Sequence, residues 1–278
     1  PGYDGERFED IERQGRDGWL ETLGEELRSK RYAPRPLLRV WIPKSNGGQR
    51  PLGIPVIRDR VVQMAMQLVV GPIFEVDLLP QQYGFRPNLD AKMAVRRVFF
   101  TVTDERRREV VDADLSDYFS TIPHGDLMRC LSRRISDRNV LRVFRAWLNA
   151  PVVERKPRGE CRTTEAKDRK RGTPQGGVVS PLLGNLYFRR FVLAWYSQGH
   201  SRRLDATVVN FADDFVICCR PGNGPAAMRT MRELMTRLGL TVNETKTRLI
   251  RLPEESFDFL GYSIGRLYTH DGRAYIGT

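Results

Sequence analysis

Little in this sequence points to a membrane or to an oxidising compartment. Among 278 residues there are only four cysteines, Cys130, Cys161, Cys218 and Cys219. They are too few for a disulfide scaffold and lack zinc-type spacing, so a reducing, cytoplasmic setting is expected. The three histidines, His124, His200 and His270, show no catalytic spacing and read as ordinary. No apolar run approaches the roughly 18 residues of a spanning helix. The best, Val61 to Phe74, is interrupted by Gln63, Gln67, Gly71 and Pro72. No leader-like segment, internal repeat, low-complexity tract or Gly/Ser linker is evident, so neither secretion nor a repeat array is expected. Acids are outnumbered, 34 Asp and Glu against 46 Lys and Arg, for a net charge of +12. An excess of that size on a folded chain favours a polyanionic partner, with a soluble basic enzyme as the bland alternative.

What is present is enough to build a core. Hydrophobic residues make up 40%, and the length suits one large domain or two modest ones. The chain starts at Pro1, so a longer parent chain is expected. Residues 154–172 hold eight basic and four acidic side chains with few apolar ones, the pattern of an exposed loop or hairpin insertion. Periodicity predicts helices around residues 19–27, 58–77, 91–103, 126–135, 139–148, 180–196 and 225–238. Strands are predicted at 37–42, 50–54, 109–115, 206–211, 215–219, 247–252 and 257–264, the first two joined by the hairpin signal Ser45-Asn46-Gly47-Gly48. From Glu109 onward the order is strand, helices, two-stranded hairpin, helix, strand. That is the split β-α-β order of a ferredoxin-like layer, an α+β fold in which the first strand and the hairpin are neighbours in mid-sheet.

Four acids meet at that place. Asp112 and Asp114 alternate along Val110-Val111-Asp112-Ala113-Asp114-Leu115 and share a face. Asp213-Asp214 occupies the hairpin turn, where aspartate is commonplace. Acids closing an apolar strand are less easily dismissed, because carboxylates gathered in mid-sheet repel one another unless a cation offsets them. Mg²⁺ suits such a site, being hard and content with one or two carboxylates plus substrate phosphates. Two such ions about 3.5–4 Å apart can activate an attacking hydroxyl and stabilise a leaving oxygen. In a basic chain this reads as nucleotidyl transfer on a nucleic acid.

The residues also carry a resemblance. Trp41-Ile42-Pro43-Lys44-Ser45-Asn46-Gly47-Gly48-Gln49-Arg50-Pro51, Ile57-Arg58-Asp59-Arg60, Gln82-Tyr83-Gly84-Phe85-Arg86-Pro87, Asp114-Leu115-Ser116-Asp117-Tyr118-Phe119, Gly172-Thr173-Pro174-Gln175-Gly176-Gly177-Val178-Val179-Ser180-Pro181-Leu182, Phe211-Ala212-Asp213-Asp214 and Phe259-Leu260-Gly261-Tyr262 follow in the order of a group II intron-type reverse transcriptase of the maturase family. The resemblance implies the fingers and palm of a right-hand polymerase, the palm with an antiparallel ferredoxin-like sheet and helices on one face. Fingers would span 1–104, with the β-hairpin 37–55, and the palm 105–278, with the basic insertion around 154–172. The thumb and any further C-terminal domain are missing from this stretch. The implied activity is RNA-directed DNA synthesis with two Mg²⁺ ions, Mn²⁺ as a substitute, on an RNA template, intron RNA foremost, with a DNA or RNA primer and dNTPs. Splicing assistance as a maturase is implied beside it. A non-catalytic RNA-binding splicing cofactor, a polymerase recruited to a CRISPR-linked or phage-defence system, and RNA-templated RNA synthesis stay open. So does oligomeric state, homodimers pairing through the fingers being known among relatives.

By the same resemblance Asp114, Asp213 and Asp214 form the catalytic triad, Asp114 and Asp213 bridging the metals and Asp214 nearer the primer end. The Leu115 carbonyl faces a metal, and Asp112 is a flanking structural acid. Lys44 and Arg50 would meet the triphosphate, Arg as a bidentate fork and Lys as a point charge. Phe119 would pack under the sugar and reject a 2′-hydroxyl by steric clash. Gln175 would touch the nucleotide from a Gly-rich turn. Lys246 would neutralise or protonate the leaving pyrophosphate. Arg58, Arg60 and Arg86 are candidate template-phosphate contacts. Phe211 stands where the family usually has Tyr, so a hydroxyl worth about 1 kcal/mol of hydrogen bonding to primer or template is absent.

Overall fold

A computed structural model describes residues 1–43, 47–156, 159–271 and 273–278. In chain order the elements are α1 (Phe8–Gln14), α2 (Arg16–Arg28), β1 (Leu37–Pro43), β2 (Gln49–Ile54), α3 (Ile57–Glu75), α4 (Ala91–Thr103), β3 (Glu109–Ala113), α5 (Tyr118–Thr121), α6 (His124–Ser132), α7 (Arg138–Leu148), β4 (Val152–Lys156), β5 (Gly159–Thr163), α8 (Glu165–Arg169), α9 (Ser180–Ser197), α10 (His200–Arg203), β6 (Ala206–Phe211), β7 (Asp214–Cys219), α11 (Gly224–Arg237), β8 (Arg248–Arg251), β9 (Phe257–Phe259), β10 (Tyr262–Tyr268) and β11 (Ala274–Gly277). Among them no helix is long and apolar enough to cross a membrane. The polypeptide forms two compact units, residues 1–76 with 119–183 (unit I) and residues 77–118 with 184–278 (unit II).

Unit I holds a four-stranded sheet in the order β2-β1-β4-β5. The hairpin β1–β2 is antiparallel, with Trp41 opposite Pro51, while β1 and β4 run parallel. The expected basic insertion is the β4–β5 hairpin followed by α8. Beneath the sheet edge a buried polar chain ties distant segments together. Trp147 Nε1 donates to the Tyr32 hydroxyl (3.0 Å), which donates to Asp59 Oδ1 (2.7 Å), and the Arg35 amide donates to Asp59 Oδ2 (2.8 Å). Asp59 is only 1% exposed. A carboxylate survives there because hydrogen bonds replace its water.

Unit II holds an antiparallel sheet in the order β6-β7-β3-β8. Its register sorts the side chains cleanly. Val110 lies opposite Cys218 and Ile250, Asp112 opposite Val216 and Arg248, and Val209 opposite Val216. This face packs Ala94, Val95, Val98 and Val102 of α4, together with Phe257, Phe259 and Ile264 of the next sheet. The opposite face carries Phe215, which packs against Phe188 and Phe191 of α9, and β3 against α11. Helix α4 begins where Asp90 caps it, its side chain accepting the Met93 amide. Its buried stripe at 94, 95, 98, 101 and 102 has helical spacing.

One expectation differs. The stretch 257–264 is not one strand but a hairpin, with Phe259 opposite Tyr262 across Leu260-Gly261. Both turn residues have positive φ, 53° and 82°, the conformation of a type I′ turn that matches the strand twist. The chain then continues as β10 and returns as β11, with Arg266 opposite Ile276.

Candidate catalytic centre

The end of β3 and the β6–β7 turn belong to one sheet and one unit. Asp112 pairs in register with Val216 and Ala113 with Phe215, so one step further Asp114 stands opposite Asp214. Asp112, Asp114 and Asp214 all line a cleft of about 580 Å³ with Lys246, Arg248 and Asp258. Asp213 sits on the turn beside them and is exposed.

The charges in this cleft do not cancel freely. Asp214 is open to solvent, yet desolvation by the surrounding walls, then repulsion from Asp213, Asp114 and Asp112, pushes its carboxyl up to about 6. Burial also raises Asp112, against the pull of Arg248, whose Nη2 is 3.3 Å away. Asp114 is held differently. Asn243 Nδ2 donates to its Oδ2 at 3.0 Å, the Asn243 amide donates to its carbonyl at 2.9 Å, and Lys246 Nζ lies 3.4 Å from Oδ2. Leu115 bridges to Val242, so the turn from Thr241 to Thr247 clamps the strand end from one side.

These groups pass a chemical test for a hard divalent cation. The donors are all oxygen, they repel one another, and one is strained toward the protonated form; Lys246 is the cation that answers Asp114 in their present arrangement. Among the described residues, no three His, Cys, Asp or Glu side chains already stand grouped as a metal cage.

The turn itself is braced from behind. Phe211 pairs with Asp214 across Ala212-Asp213. Ala212 has φ +58° and Asp213 does not share it, the type II′ pattern, whose first position favours glycine. Asn210, fully buried, donates from Nδ2 to the Ala212 carbonyl (2.7 Å) and the Asp214 carbonyl (3.2 Å). Its own backbone is paired with Gln81 and Tyr83 at 2.9 and 2.8 Å. Gln82 Nε2 donates to the Asn185 carbonyl (3.0 Å), and Asn185 Nδ2 to the Gly84 carbonyl (2.6 Å). Gly84 is pressed so close that a Cβ there would collide with the Ala212 nitrogen. Asn210, Gln82, Asn185 and Asn243 are absent from the sequence-derived site. Gln82 opens one of the family-like blocks without a role assigned to it, and Asn210 left a trace as an amide in the mostly apolar strand Ala-Thr-Val-Val-Asn-Phe.

The remaining sequence-derived residues are placed as follows. Arg86 donates to the Leu79 and Gln82 carbonyls (2.9 and 2.7 Å), bracing its own loop in unit II. Phe211 is half-buried, its ring 6.4 Å from that of Phe85. In unit I, Arg50 is exposed on β2 opposite Ile42. The Gln175 carbonyl accepts the Gly53 amide (2.7 Å), tying the Gly-rich turn to β2, and the Phe119 carbonyl accepts the Thr173 amide (2.7 Å). Arg58 pairs with Glu26 and lies over the Tyr32 ring, and Arg60 Nε donates to the Pro55 carbonyl (3.0 Å). The guanidinium groups of Arg58, Arg60 and Arg86 thus make contacts inside their own units. Lys44 lies outside the described residues, as do Ser45 and Asn46 of the hairpin signal.

Comparison with known proteins identifies the family and the fold. A family model described as reverse transcriptase (RNA-dependent DNA polymerase) matches residues 42–264. Protein YkfC of Escherichia coli K12 is 35% identical over 89% of this chain and 71% of its own length. The group II intron-encoded protein LtrA of Lactococcus lactis is 30% identical over 63% of this chain and 28% of its own. Among solved structures, the telomerase of Candida albicans in complex with a telomeric RNA fragment superposes with TM-score 0.59 at 12% identity, over 89% of this chain and 49% of that one. That likeness is one of fold. The chain spans about half the length of that polymerase and less than a third of LtrA.

Proposed function

Since this chain belongs to the reverse transcriptase (RNA-dependent DNA polymerase) family, we propose that it extends a nucleic-acid primer with dNTPs on an RNA template, with Asp114, Asp213 and Asp214 as the catalytic acids. The observation that carries the reading is the shared face of Asp112, Asp114 and Asp214 at the sheet centre, with Asp214 raised to about 6 by desolvation and then by its neighbouring acids. Asp114, Asp213 and Asp214, with the Leu115 carbonyl, are the groups that would hold divalent cations, Mg²⁺ foremost. Such cations, when bound, supply activation of the primer 3′-hydroxyl and charge stabilisation at the leaving oxygen. The chain's own residues do the rest. Asn243 and the Thr241–Thr247 turn fix Asp114, Asn210 fixes the turn bearing Asp213, and Lys246 is the cation that can neutralise or protonate leaving pyrophosphate. Arg50, Phe119 and Gln175 are assigned to the incoming nucleotide by family relationship, Phe119 as the barrier to a 2′-hydroxyl.

Primer extension with an RNA template, a DNA primer and dNTPs tests the reading. Asp213→Ala should lower product by about a thousandfold, since a lost metal ligand removes several kcal/mol of transition-state stabilisation. Undiminished product from that variant sinks it. Phe119→Ala should admit rNTPs; unchanged discrimination removes Phe119 from the nucleotide assignment. A second reading, service as an RNA-binding splicing cofactor with intron RNA as partner, is favoured by the identity with LtrA, an intron-encoded protein. It predicts that RNA binding and any splicing assistance survive Asp213→Ala.

A further inference from the structure

Unit I contains a cavity of about 560 Å³ bounded by α6, α7 and the end of α8. Its lining has two parts. Buried or half-buried Met128, Leu141 and Leu148 form an apolar floor, and exposed Arg145, Lys167 and Lys170 form a cationic rim. None of these three cations has an ion pair or side-chain hydrogen bond among the described residues. The rim is fixed in place by the backbone. The His124 amide donates to the Lys170 carbonyl (2.9 Å), its Nε2 meets the Gly172 carbonyl (2.7 Å), and Pro123 bridges to Arg171, so the end of α8 is pinned to the start of α6. The surrounding sequence is strongly basic. Residues 119–183 carry 14 Lys and Arg against 6 Asp and Glu, which is +8 of the total +12.

Unpaired cations held around a dry floor leave two demands unmet, one for anionic oxygen and one for a flat apolar group. A nucleotide meets both, and the volume lies within the range of pockets that enclose small molecules. We propose that this cavity is a nucleic-acid subsite that takes one nucleotide of a single-stranded RNA. The flanking phosphates lie on Arg145, Lys167 and Lys170, and the splayed-out base lies over Met128, Leu141 and Leu148. A single strand is required because a base stacked in a duplex cannot reach the floor. A strand is favoured over a free nucleotide because the basic side chains are spread from Arg129 to Arg171, well beyond three positions. The site uses none of the carboxylates of unit II, so it stands or falls independently of the polymerase reading.

The experiment measures binding of the whole chain to a 20-nucleotide single-stranded RNA in EDTA, where no catalysis occurs, across a salt series. The triple variant Arg145→Gln, Lys167→Gln, Lys170→Gln should bind about tenfold more weakly at moderate salt and show a salt slope shallower by about 2, given about 0.7 per phosphate on a single strand. A control triple, Arg202→Gln, Arg203→Gln, Arg229→Gln, removes the same charge from exposed positions elsewhere and should keep near-native affinity. Gly125 also lines the cavity, and a Cβ there meets nothing within 4 Å, so Gly125→Phe can fill space without displacing backbone. That variant should lose about fivefold in affinity with the salt slope intact, as expected when stacking is blocked and phosphate contacts remain. Thermal unfolding identifies any variant that is not folded. Equal losses in both triples, an unchanged salt slope in the cavity triple, or displacement of the RNA by an acidic peptide as readily as by unlabelled RNA would overturn the proposal. So would saturation of the cavity by free AMP with RNA affinity indifferent to the triple change.

Discussion

Two cavities described above are lined by opposite surpluses. In unit II the cleft gathers Asp112, Asp114, Asp214 and Asp258, and two cations, Lys246 and Arg248, answer them. In unit I the cavity gathers Arg145, Lys167 and Lys170, with no acid paired to them among the described residues. The supporting structure differs as well. Asp112, Asp114 and Asp214 stand at the end of a sheet whose register is fixed by neighbouring strands, and buried amides of Asn210, Asn185 and Gln82 brace the turn that leads into Asp214. The cations stand on α7, on α8 and at its C-terminal cap, with exposed side chains. A site that must place charge to a fraction of an ångström invests in buried polar braces, whereas a site that only attracts a flexible polyanion does not need them.

That contrast can be broken most directly at Asn210. Asn210→Leu keeps the branched outline and removes both hydrogen bonds donated to the turn, so extension should fall by more than tenfold and stability by about 1–3 kcal/mol, the cost of unpaired buried carbonyls. If the amide acts by holding Ala212 in its left-handed conformation, Ala212→Gly in the same chain should restore part of the activity, because glycine adopts that conformation freely. Measuring kcat and KM separately sharpens the point. A positioning role predicts that kcat falls with KM for the primer–template nearly unchanged.

A smaller effect separates the two surpluses by pH. The Asp214 carboxyl keeps its proton up to about pH 6 in the folded protein, whereas its ordinary value is 3.8. The desolvated and crowded carboxyl therefore contributes stability that is present below pH 4 and lost as pH rises through 6. Metal-free wild type should accordingly gain thermal stability relative to Asp214→Asn on going from pH 7 to pH 5. Divalent cations should raise Tm less at pH 5 than at pH 7, because each must then displace a proton. A Tm difference between the two proteins that does not change with pH would show that the acids are not coupled as described.

The smallest expected effect lies in unit I. Burial holds His124 below its ordinary 6.5, opposed by its bond to the Gly172 carbonyl. The neutral ring is the one the fold accommodates, so the contribution of His124 is present above pH 6.5 and lost as pH falls below it. His124→Gln should flatten that loss in a comparison of Tm at pH 7 and pH 5.5.

How much of this was legible in the sequence depended on the range of the interaction responsible. Helix α4 is bounded as periodicity predicts, Ala91–Thr103, because cap and stripe are both local. The acids could be placed together because the strand order of a split β-α-β layer is itself written in element order. The Leu260-Gly261 turn escaped notice because leucine is a poor signal for positive φ, and only the pairing of Phe259 with Tyr262 makes the turn necessary. The amide brace was hidden for a stronger reason. Gln82, Asn185 and Asn210 are far apart in sequence, and nothing in a single polar residue says whether it is solvated or buried. Likewise the basic excess was visible at residues 154–172, but only packing joins Arg145 of α7 to Lys167 and Lys170.

The contact between Gly84 and Ala212 limits what can change at this centre. Each position demands a minimal side chain for its own reason, one for lack of room and the other for backbone conformation. Neither demand is relieved by altering the other: shrinking Ala212 to glycine still leaves its nitrogen where a Cβ at 84 would fall. Libraries that vary this centre can therefore diversify Phe85 or Phe211, but residues 84 and 212 form a fixed pair around which any such redesign has to be drawn.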